Sequence, residues 1–102
     1  MTLNELRYIV AVAQERSFGR AAGKCFVSQP ALSVAIQKLE EELGAPLFER
    51  GKSEITVTPV GERIVEQAQR VLEEASRIKE IAQSGRNQLV GTLRLGVIYT
   101  VP

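Results

Sequence analysis

Residues 17–50 read SFGRAAGKCFVSQPALSVAIQKLEEELGAPLFER and contain two helical patterns separated by the four residues 25–28. The second pattern begins with Ser28, whose hydroxyl can accept from an otherwise unpaired backbone N–H at a helix start. Pro30 lies in the first turn, where a missing N–H is tolerated. Apolar residues then recur at spacings of four, three and four, and they form one stripe: Leu32, Ile36, Leu39 and Leu43. Gly44 predicts the end of this helix.

The opposite face of the second helix carries small, amide and basic side chains. It presents Gln29, Ala31, Ser33, Val34, Gln37 and Lys38. Gln can bond adenine through both of its amide groups, Ser can bond base edges or phosphate, and Lys can bond phosphate or guanine. The second helix of a helix-turn-helix motif lies in the major groove of DNA, with its N-terminal residues at the base edges. The pattern therefore predicts a recognition helix.

The first helix of the pair is predicted over residues 18–24, with Ser17 as its N-cap. Ala21 and Ala22 are small enough to let the two helices cross closely. No acidic residue occurs from position 16 to position 38, where the basic residues are Arg16, Arg20, Lys24 and Lys38. The alternative interpretation is a solvated charged face on an ordinary helical domain. The Ser-Gln-Pro start of the second helix favours DNA binding instead.

An amphipathic helix precedes this pair and completes a three-helix core. Thr2 and Glu5 have the spacing of a capping box. The predicted apolar face consists of Leu3, Leu6, Ile9, Val10 and Ala13. We interpret this helix as core rather than as a functional site.

A short hairpin is predicted after the helix pair, from residues 47–50 and 55–57. Its tip carries Arg50 and Lys52. A hairpin beside a recognition helix is a wing, and a basic wing tip can reach the DNA backbone or the minor groove. The alternative is an ordinary surface turn, since Glu49 and Glu54 balance the two basic residues.

A long helix is predicted over residues 59–84, with Thr58 as its cap. Its apolar residues recur at four-three spacing, which suits a coiled-coil seam, and we predict that they form a homodimer contact: Ile64, Ala68, Val71, Leu72, Ala75, Ile78 and Ala82. The alternative is that the stripe covers only its own domain. Residues 84–88 form a polar break, and residues 93–98 alternate like a strand. The predicted organisation is thus a mainly α winged helix-turn-helix domain (1–58), a dimerisation helix (59–84), and a hinge with a first strand of a truncated further domain (85–102).

The run AAGKCFVSQPALSVAIQKLEEELGAPLFER followed by TVTPVGE resembles the N-terminal winged helix-turn-helix domain of LysR-type transcriptional regulators. The opening ELRYIVAVAQERSFGRAAGKCFVSQPALS is further similar to the peroxide-responsive members of that family. The resemblance implies an antiparallel pair of linker helices, a dimer that becomes a tetramer at full length, and a pseudo-palindromic operator. It implies that Ser28, Gln29, Pro30, Ser33, Gln37 and Lys38 approach DNA, with Arg50 at the wing and Arg20 near phosphate. Val34 on the exposed helix face and Lys52 at the hairpin tip complete the predicted DNA-binding residues. Gly19 departs from the polar residue that many members carry there.

Composition sets limits on other functions. The net charge is +1, so only the local placement of charge argues for nucleic acid. The chain has no His, no evident carboxylate pair and no Gly-rich phosphate loop, so we expect neither enzymatic activity nor a metal or other cofactor. The absence of a membrane span or signal-peptide pattern predicts a cytoplasmic protein without membrane partners. Cys25, the single cysteine, is expected to be buried and inert.

Two rival functions remain open from the sequence. One is a regulator of the same family that responds to a small-molecule effector rather than to peroxide. The other is a winged-helix module that binds protein, although the Gln29–Ser33–Gln37 face lacks the aromatic or Met anchors typical of protein interfaces.

Overall fold

The computed structural model describes the backbone of residues 1–51 and 54–94, and the side chains of residues 1–51 and 54–86. The elements of this part follow one another as α1 (Leu3–Glu15), α2 (Phe18–Cys25), α3 (Gln29–Leu43), β1 (Phe48–Arg50), β2 (Ile55–Val57) and α4 (Pro59–Arg94). The mainly helical winged helix-turn-helix fold expected from the sequence is confirmed.

The helix ends follow the capping residues. The Thr2 hydroxyl accepts from the Glu5 N–H at 3.1 Å, while the Glu5 carboxylate accepts from the Thr2 N–H at 2.7 Å, which completes the capping box. Ser17 caps α2 and Ser28 caps α3, each by accepting from the N–H three residues on. Gly44 ends α3 in the left-handed region, with φ of 71°.

The core lies between α1, α2 and α3, with the hairpin base and the first part of α4 packed against it. Leu32, Ile36 and Leu39 are buried as predicted. Leu3 and Leu43 are wrong as core predictions, since they are 43% and 38% exposed. Each lies in the terminal turn of its helix, where a periodic stripe extends past the core. The buried apolar residues are Leu6, Ile9, Ala11, Val12, Phe18, Ala21, Ala22, Leu32, Ile36, Leu39, Leu47, Phe48, Val65 and Ala68.

The hairpin is antiparallel, and Phe48 pairs with Val57 and Arg50 with Ile55. A carboxylate of α3 holds the start of the first strand, because Glu40 accepts from the backbone N–H of Leu47 at 2.6 Å and of Phe48 at 3.4 Å. The predicted wing therefore extends directly from the C-terminal part of α3.

The start of α4 is fastened to the base of the hairpin. The buried Thr58 hydroxyl donates to the Pro46 carbonyl at 2.7 Å and accepts from the Gly61 N–H at 2.9 Å. A Cβ on Gly61 would overlap the Leu47 carbonyl oxygen. Only glycine lets the first turn of α4 approach the hairpin this closely.

The described α4 is longer than the predicted helix. It continues through the polar residues 84–88 to Arg94, so the predicted end of the helix at residue 84 is wrong. Gly85 lowers helix propensity but does not break a helix, because its N–H is intact. The predicted strand starts at Leu93, which is helical, and its remainder lies outside the described residues.

The described part of the chain divides after Leu72 into two units. The first unit contains the three-helix core, the hairpin and the start of α4. The domain limits expected at residues 58 and 84 stay predictions. Among the described helices, none is long and apolar enough to cross a membrane.

Candidate nucleic-acid interface

One face of α3 is open to solvent and carries the predicted reading residues. Gln29, Pro30, Gln37 and Lys38 are exposed, and Ser33 is half-buried between them along the helix. Val34 is 64% exposed, which is unusual for an apolar residue in the middle of a helix. Ser28, the N-cap of α3, is exposed, and its hydroxyl accepts from the Ala31 N–H at 3.2 Å, so this hydroxyl serves first as a cap.

The carboxylates near the end of α3 have partners away from this face. Glu40 accepts from the hairpin backbone, as described above. Glu42 accepts from the Met1 amino group at 2.8 Å, and this hydrogen bond raises the pKa of that amine. Both carboxylates thus interact with groups outside the exposed face of α3.

The basic residues Arg16, Arg20 and Lys24 do not belong to one helix. Arg16 is the C-cap of α1, with φ of 52°, so it does not continue a helical row with Arg20 and Lys24. Glu15 interacts with both of the others: its backbone carbonyl accepts from Arg20 at 2.6 Å, and its carboxylate lies 3.8 Å from the Lys24 amine. The sequence has no acid between positions 16 and 38, and Glu15, which pairs with Arg20 and Lys24, comes just before that range.

Arg50 is held against the domain by an aromatic stack. Its guanidinium carbon lies 4.3 Å from the centre of the Phe18 ring, and Phe18 meets Phe48 edge to face with ring centres 6.3 Å apart. Stacking on an aromatic face leaves the guanidinium N–H groups in its plane able to donate to an anion. Lys52, the other predicted wing residue, lies outside the described residues.

Arg50 and the starts of α2 and α3 surround a depression of about 480 Å³, which we call the α2–hairpin depression. It is lined by Arg16, Ser17, Phe18, Gly19, Arg20, Gln29, Arg50, Gly51, Glu54 and Ile55. The site thus combines three guanidinium groups with one amide side chain of the recognition helix. Such a surface can bind phosphate oxygens and hydrogen-bonding base edges.

The residues of the predicted dimer stripe of α4 differ in how far their own domain covers them. Ala68 is 3% exposed within its own domain, and Ile64 and Leu72 pack partly against the same core. Val71 and Ile78 are 37% and 68% exposed. The remaining predicted members are Ala75, which is half-buried, and Ala82, which is exposed.

Two features were not evident from the sequence. Phe26 is 94% exposed and adopts the left-handed conformation, with φ of 59°, at the end of α2. An aromatic residue has no local advantage in that conformation, so sequence patterns give no signal for it. Cys25, expected to be buried, is half-buried. Within the part of the chain that the structure describes, no group of acidic, Cys or His side chains is placed to hold a metal ion.

Comparison with known proteins identifies close relatives. Residues 3–62 match the family described as bacterial regulatory helix-turn-helix protein, lysR family. The hydrogen peroxide-inducible genes activator of Pectobacterium carotovorum subsp. carotovorum is 46% identical over 101 residues, which cover 99% of this chain and 33% of that protein. The chain therefore spans about a third of the length of the curated relatives it matches.

Two solved structures are similar in fold. Full-length OxyR from Pseudomonas aeruginosa, a cysteine-to-aspartate variant, is 65% identical with a TM-score of 0.82, over 87% of this chain and 30% of that one. The DNA-binding domain of BenM, crystallised with benA site 1 DNA, is 42% identical with a TM-score of 0.78, over 82% of this chain and 94% of that one.

Proposed function

The chain belongs to the LysR family of bacterial regulatory helix-turn-helix proteins, and we propose that it binds duplex DNA as the reading domain of a transcription regulator. The observation that carries this proposal is the exposed face of α3, with amide and small side chains and no acidic residue from Gln29 to Leu39. The similarity to the BenM domain crystallised with DNA supports it further.

Within this proposal, α3 lies in the major groove and its residues have separate tasks. Gln29, Ser33 and Gln37 follow one another at one-turn spacing and read base edges. Ser28, Pro30, Val34 and Lys38 contact the groove wall, the thymine methyl groups or phosphate. Arg20 and the hairpin residues Arg50 and Lys52 bind the backbone or the minor groove.

The substitution Gln29→Ala tests base reading. It should weaken binding to the preferred sequence by about 1–3 kcal/mol, the usual contribution of a bidentate base contact, and change binding to random duplex much less. Gln83→Ala, at an exposed position of α4, is the matched control and should change neither. An equal loss on both duplexes would make Gln29 a positioning residue.

The substitution Arg50→Ala tests the hairpin. Each lost phosphate contact should reduce the slope of log affinity against log salt by about 0.9. Arg77→Ala removes a charge from α4, where Arg77 is paired with Glu74, and should leave the slope unchanged. If Arg50→Ala also leaves it unchanged, the hairpin does not contact DNA.

We also propose a homodimer through the uncovered side of α4. Ala68 is enclosed by its own domain, so the partner contact falls on the neighbouring row of Val60, Ile64, Val71, Ile78 and Ala82. Val60 is 41% exposed and continues this row by one helical turn. A dimer of this kind presents two recognition helices to a pseudo-palindromic operator.

The signal we propose is peroxide, because the curated relatives are named hydrogen peroxide-inducible genes activators. The test is to delete the gene in its host, expose the cells to hydrogen peroxide, and measure transcripts next to the DNA sites occupied by the protein. Loss of peroxide induction at those genes supports the proposal. Normal induction in the deleted strain would favour a small-molecule effector for this regulator.

A further inference from the structure

Two exposed glycines of α2 differ in what a side chain would meet. A Cβ on Gly19 would lie 3.4 Å from the amide oxygen of Gln29 and 3.8 Å from the hydroxyl oxygen of Ser17. A Cβ on Gly23, one turn later, would meet no atom within 4 Å. Glycine is unfavourable inside a helix compared with alanine, so each position gives up helix propensity. Only at Gly19 would an added side chain contact a neighbouring group.

The neighbour of Gly19 is the first residue of the recognition helix. Gln29 begins α3, yet its amide oxygen lies over the first turn of α2, and both Gln29 and Arg50 line the α2–hairpin depression. A methyl group at position 19 would be in ordinary van der Waals contact with this amide. A branched or longer side chain adds atoms beyond this contact, and these atoms restrict the rotamers that the Gln29 side chain can adopt.

We propose that Gly19 is a specificity-determining position, because it sets the direction of the Gln29 side chain and thereby the base that Gln29 prefers. The inference rests on the proposed DNA-binding function. A bidentate Gln–adenine contact requires the amide oxygen and nitrogen to meet the N6 amino group and N7 together. A change of rotamer moves both atoms, so a residue that never contacts a base changes which base is selected. Gly19 is in this sense a positioning residue.

The experiment is selection from a random-sequence duplex library with four proteins: wild type, Gly19→Val, Gly23→Val and Gln29→Ala. Both valine variants place the same branched side chain at an exposed position of the same helix, so the cost in helix propensity is matched. Wild type and Gly23→Val should select the same motif. Gly19→Val should lose the base preference at the one position whose preference also disappears in Gln29→Ala, with roughly tenfold or greater loss of discrimination there.

A double substitution separates this role from a general effect on folding or DNA approach. Adding Gly19→Val to Gln29→Ala should change the selected motif no further, since the side chain that it redirects is absent. Gly19→Leu and Gly23→Leu, with an unbranched Cβ and good helix propensity, give a second matched pair if the valine variants fold poorly.

Three results are distinguishable. An unchanged motif for a folded Gly19→Val or Gly19→Leu protein would overturn the inference. So would a loss spread evenly over all positions, which would mean that the side chain obstructs the DNA backbone. A wild-type selection that enriches no sequence would instead contradict the proposed function.

Discussion

The two parts of α4 have the same apolar periodicity but different surroundings. Along residues 59–72, Val65 and Ala68 are buried against the three-helix core. Along residues 73–86, Ile78 and Ile81 are 68% and 64% exposed. The periodicity of a helix therefore shows which residues share an apolar face, but it does not show whether the chain itself or another molecule covers that face. We propose that a second copy covers the open part.

The strongest test of this contrast uses two alanines that were predicted to lie in one stripe. Ala68→Glu places a carboxylate in a site that is 3% exposed, and it should lower the free energy of unfolding by about 3 kcal/mol or more. Ala82→Glu adds the same side chain at an exposed position and should leave the fold intact. Chemical denaturation of both variants gives the comparison. Equal destabilisation would mean that the two parts of α4 are equally covered.

The second test concerns association. Ile78→Glu should weaken the proposed dimer about 30-fold or more, because two isoleucines lose apolar contact and two carboxylates approach one another. Sedimentation at micromolar concentration should then show monomer, while the helical content per chain stays close to that of wild type. Ser76→Glu, which makes the same change in charge at an exposed position on the opposite side of the helix, is the control. A wild-type protein that sediments as a monomer would disprove the dimer.

The third test removes the hydrogen bonds that hold the start of α4, the part packed against the core. Thr58→Ala removes a hydroxyl that donates to the Pro46 carbonyl and caps Gly61 N–H, and it should cost about 1–2 kcal/mol of stability. Thr58→Ser retains the hydroxyl and should recover most of this. A similar loss in both variants, measured by urea denaturation, would attribute the effect to the methyl group instead.

The smallest expected effect tests whether exposure alone marks an interface. Phe26 is more exposed than either isoleucine of α4, and it has a left-handed backbone that disfavours bulky residues. Phe26→Gly should therefore raise thermal stability by about 1 kcal/mol. Its sedimentation should match that of wild type. A shift to monomer would show that Phe26 belongs to the contact between copies.

The local features of the fold were predictable because they depend on neighbours in sequence. The caps at Thr2, Ser17 and Ser28 and the helix end at Gly44 use atoms within a few residues, and each matches its prediction. The core faces of α1 and α3 also follow from periodicity, apart from their terminal turns.

The contacts that link distant segments were not predictable. Glu40 was one of three consecutive acids with no local sign that it would bind the backbone at Leu47. The interaction of Glu15 with Arg20 and Lys24 depends on how α1 and α2 meet. The periodicity of α4 also predicts one dimer contact for all of its apolar residues, although Ala68 is buried in its own domain and Ile78 is exposed. The predicted site combined the exposed face of α3 with Arg20 and the hairpin residues Arg50 and Lys52. The position of the Gln29 amide over the first turn of α2 was not predictable, because it depends on how α2 and α3 cross.

The close approach at Gly61 has a consequence for sequence variation. Any missense change of a glycine codon introduces a Cβ, and at this position the Leu47 carbonyl already occupies the required space. The nineteen alternatives are therefore excluded by one shared atom rather than by their individual chemistry. In a saturation mutagenesis library, almost no substitution of Gly61 should give a folded protein, whereas many substitutions of Gly23 should be tolerated. Exposed positions of this domain can therefore vary during evolution, but the glycine at the junction between the hairpin and α4 cannot.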